Sequence, residues 1–174
     1  MRIVAGRWRG RRISPPDDSR VRPTADRVRE AWMSIVQPHL PHARVLDLFA
    51  GSGALGLEAV SRGAAHADLV EVSPTGVRAI KKNAETLGAD NEISIHRADA
   101  LRFIEKLEPN AYDVAFADPP YGHGLATAVV ERWLAVPFAA LLGVEHGSRE
   151  EMPGDPDTRR YGTTAISFYE APAT

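Results

Sequence analysis

Along this chain, short apolar runs alternate with stretches whose apolar positions recur at helical spacing. Val45 to Phe49 is apolar apart from Asp47, which predicts a strand buried on both faces, as in a parallel sheet. Ala67–Val72, Glu92–His96, Tyr112–Ala117 and Ala140–Glu145 predict further strands. Between them lie helical stretches: Ala54–Arg62, Pro74–Leu87 with Val77, Ile80, Ala84 and Leu87 on its apolar face, Leu101–Leu107, and one around Ala126–Ala135. Strand–helix alternation of this kind predicts an α/β fold, Rossmann-like, with a mostly parallel, doubly wound sheet and right-handed crossovers. Ligands of such sheets sit at the carboxyl ends of the strands, and Asp47, Glu71, Asp99 and Asp118 all lie at or near such ends.

The two ends of the chain depart from this rhythm. Arg2–Ala5 and Arg9–Ser14 read as two short strands around Gly6-Arg7-Trp8. A loop follows at Pro15 to Ser19, and then a helix from an N-cap at Thr24 to about Gln37. Val28, Ala31, Trp32, Ile35 and Val36 form its apolar stripe, with Arg22, Arg27 and Arg29 off it. Beyond Glu145, residues 147–158 are polar and rich in Pro and Gly, too much so for a helix. Arg159 to Gly162 and the alternating run Ala165–Glu170 predict a hairpin closing the sheet edge. We therefore expect a basic N-terminal extension over residues 1–40, a hairpin arm plus a helix, and the main α/β domain over residues 41–174.

Composition sharpens this picture in two places. There are no cysteines, which excludes a disulfide framework and thiolate metal sites and is consistent with a reducing compartment. The net charge of −2 is unevenly spread: residues 1–30 hold nine Arg against four acids, a net of +5, and the remainder carries −7. A basic arm on an acidic body suggests contact with a polyanion. Arg7, Arg9, Arg11 and Arg12 crowd around Trp8, an arrangement that suits single-stranded RNA, although Trp8 could equally be a packing residue. The first residues lack an apolar core long enough for a signal peptide, and no apolar run approaches membrane-spanning length. The six histidines are scattered without metal-ligand spacing, so no metal is expected.

The candidate chemistry lies at the strand ends. Gly51, Gly53 and Gly56 match a nucleotide-binding fingerprint between a first strand and a first helix. Glu71 lies eighteen positions after Gly53, at the tip of the second strand, where a carboxylate can grip both hydroxyls of a ribose. Asp118-Pro119-Pro120-Tyr121 follows a buried strand. An exocyclic base amine is a poor nucleophile because its lone pair is conjugated into the ring. Asp118 can accept a hydrogen bond from that amine and draw its nitrogen toward sp³. A carbonyl of the rigid proline pair can accept the other N–H, and Tyr121 can stack on a base taken out of its helix or loop.

Together these residues resemble a class I S-adenosylmethionine-dependent methyltransferase of the amino-methylating kind. Arg7-Trp8-Arg9-Gly10-Arg11, Arg22-Pro23-Thr24-x-Asp26-Arg27-Val28-Arg29-Glu30, Asp47 to Gly56 and Arg160-Tyr161-Gly162 resemble the bacterial RsmD family, which methylates guanine N2 in 16S ribosomal RNA of the small subunit. The resemblance runs through nearly the whole chain. It implies S-adenosylmethionine as cofactor, contacted by Asp47, Phe49, Gly51, Ser52 and Gly53, with Glu71 on the ribose, Asp99 and Ala100 at the adenine, and Asp118 between cofactor and target. Asp118, Pro119, Pro120 and Tyr121 would hold the target guanine. Arg7, Trp8, Arg9, Arg11, Arg12, Arg22, Thr24 and Arg27 would meet RNA, within an assembled or assembling small subunit. A cytoplasmic monomer is implied. Residues 41–174 become the methyltransferase catalytic domain. The alternatives are an N6-adenine or other amino methyltransferase acting on DNA or RNA, a catalytically silent RNA-binding module on the same fold, and a nicotinamide-dependent enzyme. A chain of 174 residues is short for the last.

Overall fold

The computed structural model describes residues 1–16 and 26–173. Seven strands form one sheet: β1 (Arg44–Leu48), β2 (His66–Glu71), β3 (Ile93–Arg97), β4 (Tyr112–Ala117), β5 (Ala139–Gly147), β6 (Asp157–Tyr161) and β7 (Thr164–Glu170). Their order is β3-β2-β1-β4-β5-β7-β6. The first five are parallel, and β7 pairs antiparallel with both β5 and β6. The expected doubly wound, mostly parallel sheet is met. The helices are α1 (Asp26–Val36), α2 (Ala54–Ser61), α3 (Pro74–Leu87), α4 (Ala100–Glu105) and α5 (Leu125–Ala135). One core lies between the sheet and α1, α2 and α3, with Trp32, Leu57, Ile80 and Phe116 in it. The other lies under α4 and α5, with Leu48, Ile104, Val129 and Phe138.

The far edge follows expectation. Among the described residues no helix connects β5 to β6, and the β6–β7 hairpin turns at Gly162-Thr163, with Tyr161 paired to Thr164. Several boundaries shift by a residue or two. The first strand stops at Leu48 because Phe49 takes a positive φ of 58° and starts the turn. Asp99 caps α4 by accepting a hydrogen bond from Arg102 N at 3.0 Å, which starts that helix at Ala100.

The N-terminus requires three corrections. The two strands expected around Gly6 reduce to one antiparallel bridge, Arg2 to Arg12, supported by hydrogen bonds such as Ile3 N to Arg11 O at 2.9 Å and Ile13 N to Met1 O at 3.0 Å. This segment is also not a free arm. Ile3, Trp8 and Ile13 are buried in the core, Glu58 of α2 accepts from Val4 N and Ala5 N, and Ser61 accepts from Trp8 N. Finally, Arg29 does not lie outside the apolar stripe in solvent. It is 0% exposed, 3.7 Å from the buried Glu58 carboxylate, and it donates to the carbonyl of Arg2. Glu58 also receives Arg62 Nε at 2.9 Å, so one buried carboxylate ties α1, α2 and the N-terminal segment together. Thr24, the expected helix cap, and Arg22 lie outside the described residues.

Candidate active site

The carboxyl ends of β1, β2 and β4 meet in the middle of the sheet. Leu48 pairs with Val70 on one side and Ala117 on the other, so the turns after all three strands open onto the same place. The turn after β1 is the glycine loop. Gly53 is the N-cap of α2 with φ 80°, a left-handed conformation that side chains resist. At Gly56 an added Cβ would stand 2.8 Å from Leu69 and 3.2 Å from Asp47 Oδ2. The bare backbone therefore lets α2 pack against β1 and β2 with its N-terminus at the carboxyl end of β1.

Asp47 is 1% exposed, and its Oδ2 accepts from Gly56 N at 2.9 Å. Burial pushes its carboxyl well above the ordinary range. The Gly56 N–H opposes that, and the charges of Asp118 and Glu71 add to it. Asp47 therefore lies beneath the loop and braces it. Glu71 is half-buried and spans the cleft: Oε1 accepts from Gly51 N and Oε2 from Ser73 N, both at 2.8 Å. Phe49 flanks the loop half-buried, and Ser52 is buried. Asp99 is exposed at the next strand end, with Ala100 buried behind it.

Asn83 of α3, which the sequence pattern does not single out, holds this loop from behind. Its Oδ1 accepts from Ser14 N, and its Nδ2 donates to Ser14 O and to Ser52 O, all within 2.8–3.0 Å. It is 1% exposed, so the amide joins the N-terminal segment to the glycine loop through the core. Its only sequence signal is an amide one residue from Ala84 on the apolar face of α3.

The turn after β4 carries Asp118, half-buried, Pro119, buried, and Pro120 and Tyr121, exposed. The Tyr121 hydroxyl bonds to Thr164 Oγ1 at 2.8 Å and to Glu145 Oε2 at 3.2 Å. Burial and the nearby charges of Glu145 and Asp118 push that phenol up to about 12, with the Thr164 hydrogen bond opposing, so it stays neutral. Glu145, equally inconspicuous in the sequence, is 7% exposed at the carboxyl end of β5. Burial, and then the charge of Asp118, push its carboxyl upward.

The basic residues divide. Arg2, Arg7, Arg9, Arg11, Arg12 and Arg27 are exposed. Arg7 stacks 4.3 Å over the Trp8 ring and pairs with Glu92, and Arg11 donates to Thr86 O at 2.7 Å. Trp8 is 6% exposed, so it serves as a packing anchor and offers no free face to a base. Among the described residues no group of three or more His, Asp or Glu could hold a metal ion.

An anionic or zwitterionic nucleoside fits these groups. At Gly51 an added Cβ would meet, among the described residues, only Pro16, at 4.0 Å. A half-buried carboxylate, Glu71, and a capping aspartate, Asp99, stand at successive strand ends.

Residues 1–170 match the family described as Conserved hypothetical protein 95. The chain is 38% identical over 161 residues to Ribosomal RNA small subunit methyltransferase D of Escherichia coli K12, covering 90% of this chain and 79% of that protein. It is 30% identical to the putative rRNA methyltransferase YlbH of Bacillus subtilis, over 98% of each. Among solved structures it superposes on the putative methyltransferase yhhF from Escherichia coli with a TM-score of 0.84, at 34% identity and over 100% of this chain and 99% of that one. The fold alone is shared with an RNA methyltransferase from Salinibacter ruber bound to S-adenosyl-L-homocysteine. There the TM-score is 0.67 at 14% identity, over 88% of this chain and 95% of that one.

Proposed function

The chain belongs to the family described as Conserved hypothetical protein 95, and from that membership and the site's geometry we propose that it transfers a methyl group from S-adenosylmethionine to ribosomal RNA. The target is the exocyclic N2 of a guanine in 16S RNA of the small subunit, reached in an assembled or assembling particle, and the protein acts as a cytoplasmic monomer. One observation carries this reading. The glycine loop after β1 and the Asp118-Pro119-Pro120-Tyr121 turn after β4 follow adjacent, paired strands. A donor in the loop and an amine at the turn would therefore lie side by side. The names of the relatives support RNA as the substrate, and the exposed arginines of the N-terminal segment support a polyanion.

When bound, the cofactor supplies a methyl carbon made electrophilic by its sulfonium, and a metal is not needed. Gly51 and Gly53 cradle its amino-acid part, Glu71 accepts from its ribose hydroxyls, and Asp99 with Ala100 borders its adenine. Asp118 accepts one N–H of the guanine amine, and a carbonyl of the proline pair accepts the other. These acceptors favour the pyramidal nitrogen that attack requires, and their rigidity means little reorganisation is needed as charge develops. Tyr121 stacks on the base and excludes water.

The test is methyl transfer from labelled cofactor to small subunits taken from cells lacking the protein, with the modified nucleoside identified. We expect N2-methylguanosine. N6-methyladenosine would move the reading to the adenine alternative, and no transfer to any RNA would overturn it.

A further inference from the structure

The base-facing turn rests on a carboxyl group that the mechanism above leaves unused. Ala117 of β4 pairs with Val144 of β5, so the residues that follow, Asp118 and Glu145, stand side by side at the carboxyl ends of two central strands. Two carboxylates in such a place repel unless a proton lies between them. Glu145 shares a hydrogen bond with Asp118, and its Oε2 accepts from the Tyr121 hydroxyl at 3.2 Å. Tyr121 is held a second time by Thr164 of β7 at 2.8 Å. Beneath lies Trp32 of α1, whose indole N–H faces the Glu145 carboxyl and favours its charged form, which burial and the Asp118 charge outweigh. Trp32 Nε1 and Glu145 Oε1 are both buried and short of full hydrogen-bond geometry with any described residue. An ionised carboxylate with so poorly partnered a buried oxygen is costly there. A neutral carboxyl that gives its proton to Asp118 satisfies the geometry better.

We propose that Glu145 is the positioning residue of the base pocket: as a neutral carboxyl it donates to Asp118 and accepts from Tyr121, and so aims both at the target amine. This rests on the methyl-transfer reading above. The proton shared with Glu145 fixes the orientation of the Asp118 carboxylate, and with it the direction from which that group accepts the amine N–H. The proton count closes. The amine nitrogen forms its bond to the methyl carbon as the carbon–sulfur bond breaks and its electron pair stays on sulfur. The nitrogen then carries a positive charge and releases a proton to Asp118. The carboxyl pair now holds two protons, and loss of one to water restores it.

Glu145 is neutral, and so able to donate, below its raised pKa, and the function is lost as pH rises through that value. The titratable groups facing it among the described residues are Asp118 and Tyr121, both from the segment after β4. Packed against it, α1 contributes the neutral Trp32 and β7 the neutral Thr164. Tyr121, at about 12, titrates later and does not cause the same loss.

The experiment compares wild type, Glu145→Ala and Glu145→Gln. It measures methyl transfer to small subunits across pH, and S-adenosylhomocysteine affinity by calorimetry. Glu145→Ala should lower kcat on the order of tenfold or more, as loss of a preorganising group does, with cofactor affinity unchanged. Glu145→Gln, whose amide donates at every pH, should recover most of the lost kcat, and its alkaline decline should move to higher pH than in wild type. Full activity in Glu145→Ala, or an alkaline decline identical in Glu145→Gln and wild type, would overturn the assignment. If Glu145→Ala fails to fold, the pH profile of Glu145→Gln decides alone. A wild-type protein that neither binds S-adenosylhomocysteine nor transfers methyl groups would instead sink the methyl-transfer reading itself.

Discussion

At the scale of single residues, two carboxylates at the cleft differ in when their interactions matter. Asp118 would gain its interaction with the amine mainly in the transition state. Asp118→Ala should therefore cost on the order of 10²-fold or more in rate while cofactor affinity stays nearly intact. Single-turnover methyl transfer beside calorimetry checks this, and activity within a few-fold of wild type would remove Asp118 from its role. Glu71 would act in the ground state, through the ribose contact proposed for it. Glu71→Ala should weaken S-adenosylhomocysteine binding by roughly 1–3 kcal/mol, the cost of leaving polar groups unpaired, and unchanged affinity would move the ribose contact elsewhere. Both residues were legible because they sit at fixed offsets from apolar strands. The hydrogen bonds Glu71 makes to Gly51 N and Ser73 N were not, since nothing in the spacing says which backbone groups a carboxylate meets across two turns. Glu145 was hidden for a related reason. One acid at the end of an apolar run looks like the start of a loop, and only the β4–β5 register sets it beside Asp118.

At the scale of elements, strand and helix order was readable because parallel strands buried on both faces are continuous apolar runs, and their crossover helices carry one apolar stripe. Buried polar residues were not readable in this way. Arg29 lies off the stripe of α1 yet is covered, because Glu58 and the N-terminal segment close over it. Asn83 of α3 is covered in the same way by Ser14 and the glycine loop. Its three hydrogen bonds link α3 to both of those segments, so Asn83→Ala strands buried partners on each. Stability should fall by a few kcal/mol, each stranded group costing about 1–3. Cofactor affinity should fall as well, since Ser52 loses its tether. Thermal melts with and without S-adenosylhomocysteine check both. A melting temperature unchanged from wild type would mean the N-terminal segment and the loop are held by other contacts.

At the scale of the molecule, charge and packing point in different directions for the first sixteen residues. Charge alone suggests a detachable basic arm, with residues 1–20 removable at no cost to the fold. Packing opposes this: Ile3, Trp8 and Ile13 are each at most 6% exposed. Burying a large apolar side chain contributes about 1.5–3 kcal/mol, so three of them approach the roughly 5–15 kcal/mol net stability of a whole domain. Removing residues 1–16 also strands Glu58 and Asn83, which lose the backbone groups they hold. That truncation should therefore abolish the cooperative melt. The charge is better tested where it is exposed. Arg9 and Arg12 lie at the surface, whereas Arg7 and Arg11 are engaged with Glu92 and Thr86. Replacing Arg9 and Arg12 with Gln should leave the melt and S-adenosylhomocysteine affinity unchanged. RNA affinity should fall, and the slope of log K against log salt should flatten by about 0.7 for each single-strand phosphate that is no longer neutralised. Methyl transfer should fall with RNA affinity and be restored at higher RNA concentration. If the double variant keeps the wild-type salt slope, these arginines do not meet phosphate, and RNA recognition belongs to Arg27 and to Arg160 on β6.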